Sequence, residues 1–138
     1  MGRISLEYIR ILVVDDFEPW RNCVRLILAK RRDLQVVGEA SNGVEAIQKA
    51  EELQPDLSLL DISMPVLNGI EAARKIRTVA PKSIILFLSQ ERSSDIAREA
   101  LNAGAQGYVI KTDAESELLP AIEAVLQGKQ FISSRLED

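Results

Sequence analysis

The sequence predicts an α/β protein, an open parallel sheet with helices on both faces. Three observations carry this. Short runs rich in Val, Ile and Leu alternate with stretches of helical period, five times along the chain. The runs are continuous rather than polar–apolar alternating, so both faces of the sheet are covered. Pro, Gly and Asn fall between the runs, where helices stop and start. At 138 residues the chain fits one domain with a proper core.

Arg10–Val14 is the first strand, β1, and it ends in Asp15-Asp16. Pro19 suits the first turn of α1. Trp20, Cys23, Val24, Ile27 and Leu28 give that helix one apolar stripe, so Cys23 is expected in the core. Lys30-Arg31-Arg32 is expected to close the helix, where cations complement its dipole. Leu34–Ala40 is β2. Ser41 or Asn42 caps α2, with Val44, Ile47, Ala50 and Leu53 inward and Pro55 as the stop. Asp56–Leu60 is β3 and leads to Asp61. Asn68-Gly69 opens α3, with Ile70, Ala73 and Ile76 inward, and Pro81 ends it. Ser83–Leu88 is β4 and ends at Ser89. Ser93 or Ser94 caps α4, which runs to about Ala103 with Gly104 as its stop. Gly107–Ile110 is β5, ending at Lys111, and Asp113 caps α5, which runs to Gln127. Pro120 lies inside α5 at a cost of about 3 kcal/mol for an interior position. A kink is expected, or an irregular first turn with the regular helix starting near Leu119. Right-handed crossovers build these units into a doubly wound, five-stranded parallel sheet with five helices. The order 2-1-3-4-5 is flavodoxin-like, with the switch point between β1 and β3.

Composition narrows the function. Net charge is −4 and pI about 5.0, so the chain has no electrostatic footprint for nucleic acid. With no histidine and one cysteine, neither a histidine metal site nor a disulfide framework is available. Residues Met1 to Arg10 carry no long apolar run, so no signal peptide is expected. No membrane span is expected either, and a cytoplasmic location is.

The informative residues sit at strand ends. β1 delivers Asp15 and Asp16, β3 delivers Asp61, β4 delivers Ser89 and β5 delivers Lys111. Each residue alone has a bland explanation: a solvated acidic pair, a turn serine, a surface lysine. Their convergence is what points to chemistry. Clustered carboxylates repel, and a divalent cation relieves this. An all-oxygen ligand set selects a hard ion, of which Mg²⁺ is the candidate. Three carboxylates, Mg²⁺ and a lysine ammonium sum to about zero net charge. A phosphoryl group on Asp61 could then be contacted by the metal, by the Lys111 ammonium and by the Ser89 hydroxyl. The acidic strand end also resembles that of P-loop nucleotide hydrolases, but no G-x-x-x-x-G-K-[ST] loop is present. Trp20, about one helical turn beyond Asp16, is placed to report metal binding by its fluorescence.

Val13-Val14-Asp15-Asp16, the run from Leu60-Asp61 to Met64-Pro65 and Asn68-Gly69, Leu88-Ser89, and Ala103 to Lys111 together resemble the receiver domain of two-component response regulators. The match spans about residues 9–128. The resemblance implies that Asp61 accepts a phosphoryl group from the phosphohistidine of a sensor histidine kinase. It implies Mg²⁺ held by the side chains of Asp16 and Asp61 and the backbone carbonyl of Ser63, with Asp15 acting partly through water, Lys111 on the phosphate and Ser89 as the family's switch hydroxyl. Tyr108 matches the aromatic switch position, and the α4–β5–α5 surface would relay the change. The domain would assist its own phosphorylation and dephosphorylation without being a turnover enzyme. Ser63 and Glu91 lie near the path of attacking water. Thr112 stands where many receivers carry proline, so the Lys111–Thr112 bond is expected to be trans.

The run Ala103–Lys111 and the ending Gly128 to Ser133 resemble the subclass with a LuxR-type helix-turn-helix output domain. DNA would be contacted only through that output domain, in transcription regulation. Residues 1–128 are read as the receiver and 129–138 as a tail or linker remnant. Homodimer formation stays open. Two other classes stay open as well. One is an aspartate-nucleophile phosphohydrolase like the haloacid dehalogenase group, although Ser63 stands where its D-x-D pattern needs an acid. The other is a receiver-like fold that only binds partners.

Overall fold

The computed structural model describes residues 7–137. Residues 1–6, part of the stretch read above for a signal peptide, lie outside the described residues. The elements are β1 (Ile9–Val14), α1 (Glu18–Leu28), β2 (Leu34–Ala40), α2 (Gly43–Leu53), β3 (Leu57–Leu60), α3 (Gly69–Val79), β4 (Ile84–Ser89), α4 (Ser94–Asn102), β5 (Gly107–Ile110), α5 (Ala114–Leu126) and β6 (Phe131–Ile132). The sheet order is β2-β1-β3-β4-β5-β6, and every pairing is parallel. The flavodoxin-like order holds, extended by one short strand.

The sheet divides the core into two layers. Leu12, Val14, Leu60, Phe87, Tyr108 and Ile110 face one layer, with α2, α3 and α4 contributing Ala46, Ile76 and Ala100. Ile11, Val13, Leu59, Leu88 and Val109 face the other, against Val24, Ile27 and Leu118 of α1 and α5. Successive strand residues go to opposite layers, which is why the inner strands are almost wholly apolar, while Arg10, Gln35 and Glu39 lie on β1 and the edge strand β2. Ser58 in β3 is a buried polar exception, and its hydroxyl hydrogen-bonds Ser83 at 2.8 Å.

Helix starts follow the expected chemistry. The Asn42, Asn68 and Ser93 side chains accept from backbone N–H groups of the first turns of α2, α3 and α4. Two inward assignments fail. Cys23 is exposed. The buried arc of α1 centres on Val24, Ile27 and Leu28, and at about 100° per residue Cys23 falls just outside it. Val44 is exposed too, and Gly43, Ala46 and Ala50 are the buried residues of α2. Small side chains let that helix lie close to the sheet. Lys30-Arg31-Arg32 lies beyond α1 rather than in its last turn. There Arg31 pairs with Asp33 at 2.6 Å and Glu123 at 3.0 Å, tying the turn to α5.

α5 also departs from expectation. Its regular helix begins at Ala114, not near Leu119, and it runs through Pro120. The irregular piece is a 3₁₀ turn over Lys111–Asp113 that precedes it. Pro120 leaves the Ser116 carbonyl without its helical donor. Both residues are exposed, so water can take that place. The Asp113 side chain makes no capping hydrogen bond and instead faces Arg135 at 3.6 Å.

Residues 129–137 form more than a tail. β6 adds to the β5 edge, and the chain then crosses to α4. Ser133 is buried. Its N–H donates to the Tyr108 carbonyl at 2.9 Å, while its hydroxyl accepts from Ile110 N–H at 2.9 Å and donates to Glu117 at 2.5 Å. Glu137 N–H donates to the Arg92 carbonyl at 2.6 Å, and its carbonyl accepts from Ser94 N–H at 2.7 Å. Ser133→Ala strands the buried Ile110 N–H. It is expected to cost about 1–3 kcal/mol, measured as a lowered urea midpoint with an unchanged m-value.

Candidate functional site

The site follows from strand register. Val14 pairs with Leu60, so the residues after β1 and β3 leave the sheet side by side. Asp61 N–H donates to the Val14 carbonyl and Asp15 N–H to the Ala40 carbonyl, each at 3.0 Å. Asp15 and Asp61 are buried, and Asp16 is exposed. One carboxylate oxygen from each of the three lies within 4.8 Å of the others.

The acidic pair is braced from outside. Asp15 Oδ1 accepts from Phe17 N–H at 2.9 Å. Arg21 donates to the Asp15 carbonyl at 2.6 Å and to Glu39 at 2.8 Å. Arg25 joins Glu39 at 2.7 Å, so α1 and the end of β2 hold the loop together. Neither strand nor helix period encodes this bracing, since its contacts run between the β1–α1 loop, α1 and the end of β2.

Lys111 leaves β5 on the 3₁₀ turn and enters the carboxylates. Its Nζ is 2.6 Å from Asp15 Oδ2 and 3.3 Å from Asp61 Oδ2. The closer contact is a buried ion pair, since both side chains are almost wholly enclosed. No cis peptide bond occurs among the described residues, so Lys111–Thr112 is trans.

Asp61 Oδ1 accepts from Ile62 N–H at 2.8 Å. Burial pushes the Asp61 carboxyl up to about 6. Lys111 opposes this, the Asp15 charge adds to it, and the Ile62 N–H opposes it again. Ser89 is buried, and its Oγ accepts from Glu91 N–H at 3.0 Å. The Tyr108 ring is fully buried, and its hydroxyl donates to the Glu91 carbonyl at 2.8 Å. Burial also pushes the Tyr108 hydroxyl pKa up. Glu91 thus joins Ser89 through its N–H and Tyr108 through its carbonyl. Asp15, Asp16, Asp61, Ser63, Ser89 and Lys111 line one cleft of about 200 Å³. Every side chain singled out at a strand end therefore reaches this place.

The loop that aims Asp61 is tightly turned. Leu67 N–H donates to the Pro65 carbonyl at 2.7 Å, across Val66 with φ of 71°. This is the strained, positive-φ form of the γ-turn, and it carries a β-branched residue that is 78% exposed. Gly69 N–H then donates to the Ile62 carbonyl at 2.8 Å, closing the loop onto α3.

The donor set fits a hard divalent cation. It is all oxygen, and it clusters three carboxylates within 4.8 Å of one another.

Fold and site together define a class: a parallel α/β signalling module with an acidic cluster at its switch point. The profile of the family described as "Response regulator receiver domain" matches residues 11–123, and the chain belongs to that family. It is 38% identical over 128 residues to the response regulator GacA of Pseudomonas viridiflava, covering 93% of this chain and 60% of that protein. It is 37% identical over 126 residues to the nitrate/nitrite response regulator NarL of Escherichia coli (strain K12), covering 91% of this chain and 58% of that one. Among solved structures it is similar to a two-component response regulator of the LuxR family from Aurantimonas sp. SI85-9A1. The TM-score is 0.89 and the identity 36%, over 94% of this chain and 93% of that one. The chain spans about three fifths of the length of the curated relatives it matches. Among the described residues, no helix is long and apolar enough to cross a membrane.

Proposed function

We propose that this receiver is a phosphorylation-dependent signalling switch and that Asp61 is its phosphoacceptor. The observation that carries this reading is the convergence of three carboxylates, a buried hydroxyl and a lysine on one cleft. The donor is the phosphohistidine of a sensor histidine kinase. A carboxylate oxygen of Asp61 attacks phosphorus; the P–N bond breaks and an O–P bond forms. The side chains of Asp15, Asp16 and Asp61 and the backbone carbonyl of Ser63 would hold Mg²⁺. Bound there, the ion would supply charge neutralisation across the phosphoryl oxygens.

The chain's own residues do the rest. Lys111 gives its ammonium to a phosphoryl oxygen. The Ser89 hydroxyl turns from Glu91 N–H and donates to another. Tyr108 holds the Glu91 carbonyl and so senses that turn, which passes to the α4–β5–α5 surface. Ser63 and Glu91 flank the path of the water that later hydrolyses the acyl phosphate. The domain thereby assists both its phosphorylation and its dephosphorylation. Residues 1–128 are the receiver, and 129–138 lead from it toward a LuxR-type output domain that contacts DNA. The setting is cytoplasmic transcription control, and a second copy of the chain is a further partner.

Incubation with Mg²⁺ and acetyl phosphate, followed by intact mass and peptide mapping, tests this reading. One phosphoryl adduct on the peptide carrying Asp61 supports it. Turnover of phosphate monoesters without an adduct would make the chain a phosphohydrolase. No labelling from any donor would leave a binding-only fold.

Metal affinity carries a pH signature. Mg²⁺ binding needs the Asp61 carboxylate ionised, and its pKa lies at about 6. Apparent affinity is expected to be flat above pH 7 and to fall about tenfold by pH 5, as one proton competes for the site. Calorimetric titration at several pH values measures this.

A further inference from the structure

Lys111 serves two anchors at once. Its ammonium touches Asp15 and Asp61 on one side. A lysine stem carries about 2 kcal/mol of rotamer entropy, so a point charge on it needs further restraint to hold one place. The chain supplies a third wall. The Lys111 Nζ lies 5.2 Å from the ring centroid of Trp20, within cation–π range. The Lys111 side chain is only 11% exposed, and a cation–π contact gains strength when water is kept out.

The backbone that carries the ring is held. Trp20 sits in the first turn of α1, after Pro19, and its backbone N–H donates to the Phe17 carbonyl at 3.0 Å. The side chain is half-buried against the core layer shared by α1 and α5. The same helix carries Arg21, which grips the Asp15 carbonyl. One turn of α1 therefore fixes both the acidic loop and the lysine that faces it.

We infer that Trp20 is a positioning residue for Lys111, holding its ammonium ready for the phosphoryl oxygens through the face of the indole. This rests on Asp61 being the phosphoacceptor and deepens that reading. Trp20 touches neither the phosphoryl group nor the metal ligands in this role; it acts through Lys111. A purely structural Trp20 would need only apolar bulk, which leucine supplies. A positioning Trp20 needs an aromatic face, which phenylalanine retains.

The experiment compares the parent chain with Trp20→Phe and Trp20→Leu. It measures the labelling rate with acetyl phosphate at saturating Mg²⁺ by intact mass, and Mg²⁺ affinity by calorimetry. Trp20→Leu is expected to label roughly three- to tenfold more slowly, and Trp20→Phe within about twofold of the parent, with metal affinity unchanged in both. In a Lys111→Met background, Trp20→Leu is expected to slow labelling no further. Equal rates for Trp20→Leu and the parent would overturn the inference. So would a Trp20→Phe variant as slow as Trp20→Leu, or an undiminished effect of Trp20→Leu without Lys111. Failure of the parent to label would count against the phosphoacceptor reading instead. The pair is then decided by the same double-mutant cycle on urea unfolding, where zero coupling between positions 20 and 111 overturns it.

Discussion

Asp61→Asn is expected to remove all phosphoryl labelling and, at the same time, to make the protein more stable at neutral pH. The two effects share one cause. The carboxyl group is buried beside Asp15, and its pKa is raised from 3.8 to about 6. The folded state therefore binds this proton more tightly than the unfolded chain does. The resulting stability is fully present below pH 3.8 and is lost as pH rises through 6. At pH 7.5 the ionised group works against folding. Asparagine keeps the shape and drops the charge, so the gain is about 1–2 kcal/mol, or a Tm rise of roughly 3–8 °C. At pH 4 the two proteins are expected to differ little. Thermal unfolding at both pH values checks the sign, and intact mass after acetyl phosphate checks the loss of labelling. A group that works against the fold yet is required for labelling is held for its chemistry.

Gly69→Ala is expected to damage fold and site together. A Cβ at position 69 would lie 1.8 Å from the Asp61 carbonyl oxygen, 2.8 Å from its carbonyl carbon and 3.0 Å from the Ile62 Cα. All three are backbone atoms, so no side-chain rotation clears the space. Either the start of α3 or the Asp61 peptide must move. The expected cost is about 3 kcal/mol or more, seen as a large fall in the urea midpoint. What remains folded should label more slowly and bind Mg²⁺ more weakly, because Asp61 no longer points where Lys111 and Asp15 meet it. Gly43→Ala meets a similar obstruction at the Leu67 carbonyl, 2.4 Å away, without touching Asp61. It therefore serves as a control that loosens the loop but spares the acceptor.

Much of this arrangement was legible from residue order. Four strands, β1, β3, β4 and β5, lead into a candidate site residue, and parallel pairing brings strand ends together whatever lies between them. That logic alone placed Asp15, Asp16, Asp61, Ser89 and Lys111 around one cleft. Asn68-Gly69 marked a helix start, but not that the glycine is needed because Asp61 backs onto it. Cys23 and Val44 were misplaced because apolar character was weighed above helical phase; in α2 the small Ala46 joins the expected Ala50 on the inward face. β6 was missed because two residues give no period, and their strand character comes from the β5 edge they meet. The Trp20–Lys111 and Arg21–Asp15 contacts were beyond reach for another reason. Trp20 and Lys111 are distant in the chain, and Arg21 turns back onto a backbone carbonyl across the β1–α1 loop, so no strand or helix period encodes either contact.

The docked C-terminal segment has a consequence for assembly. An unpaired strand is a template on which another chain can lay down its backbone, and a β5 edge left bare would offer one. Here that lane is occupied by the protein's own residues. The new edge is only two residues long, too short to template a further strand. Association on this flank is thus steered away from strand exchange and toward side-chain contacts. Any reader of the α4–β5–α5 face meets residues 131–137 first.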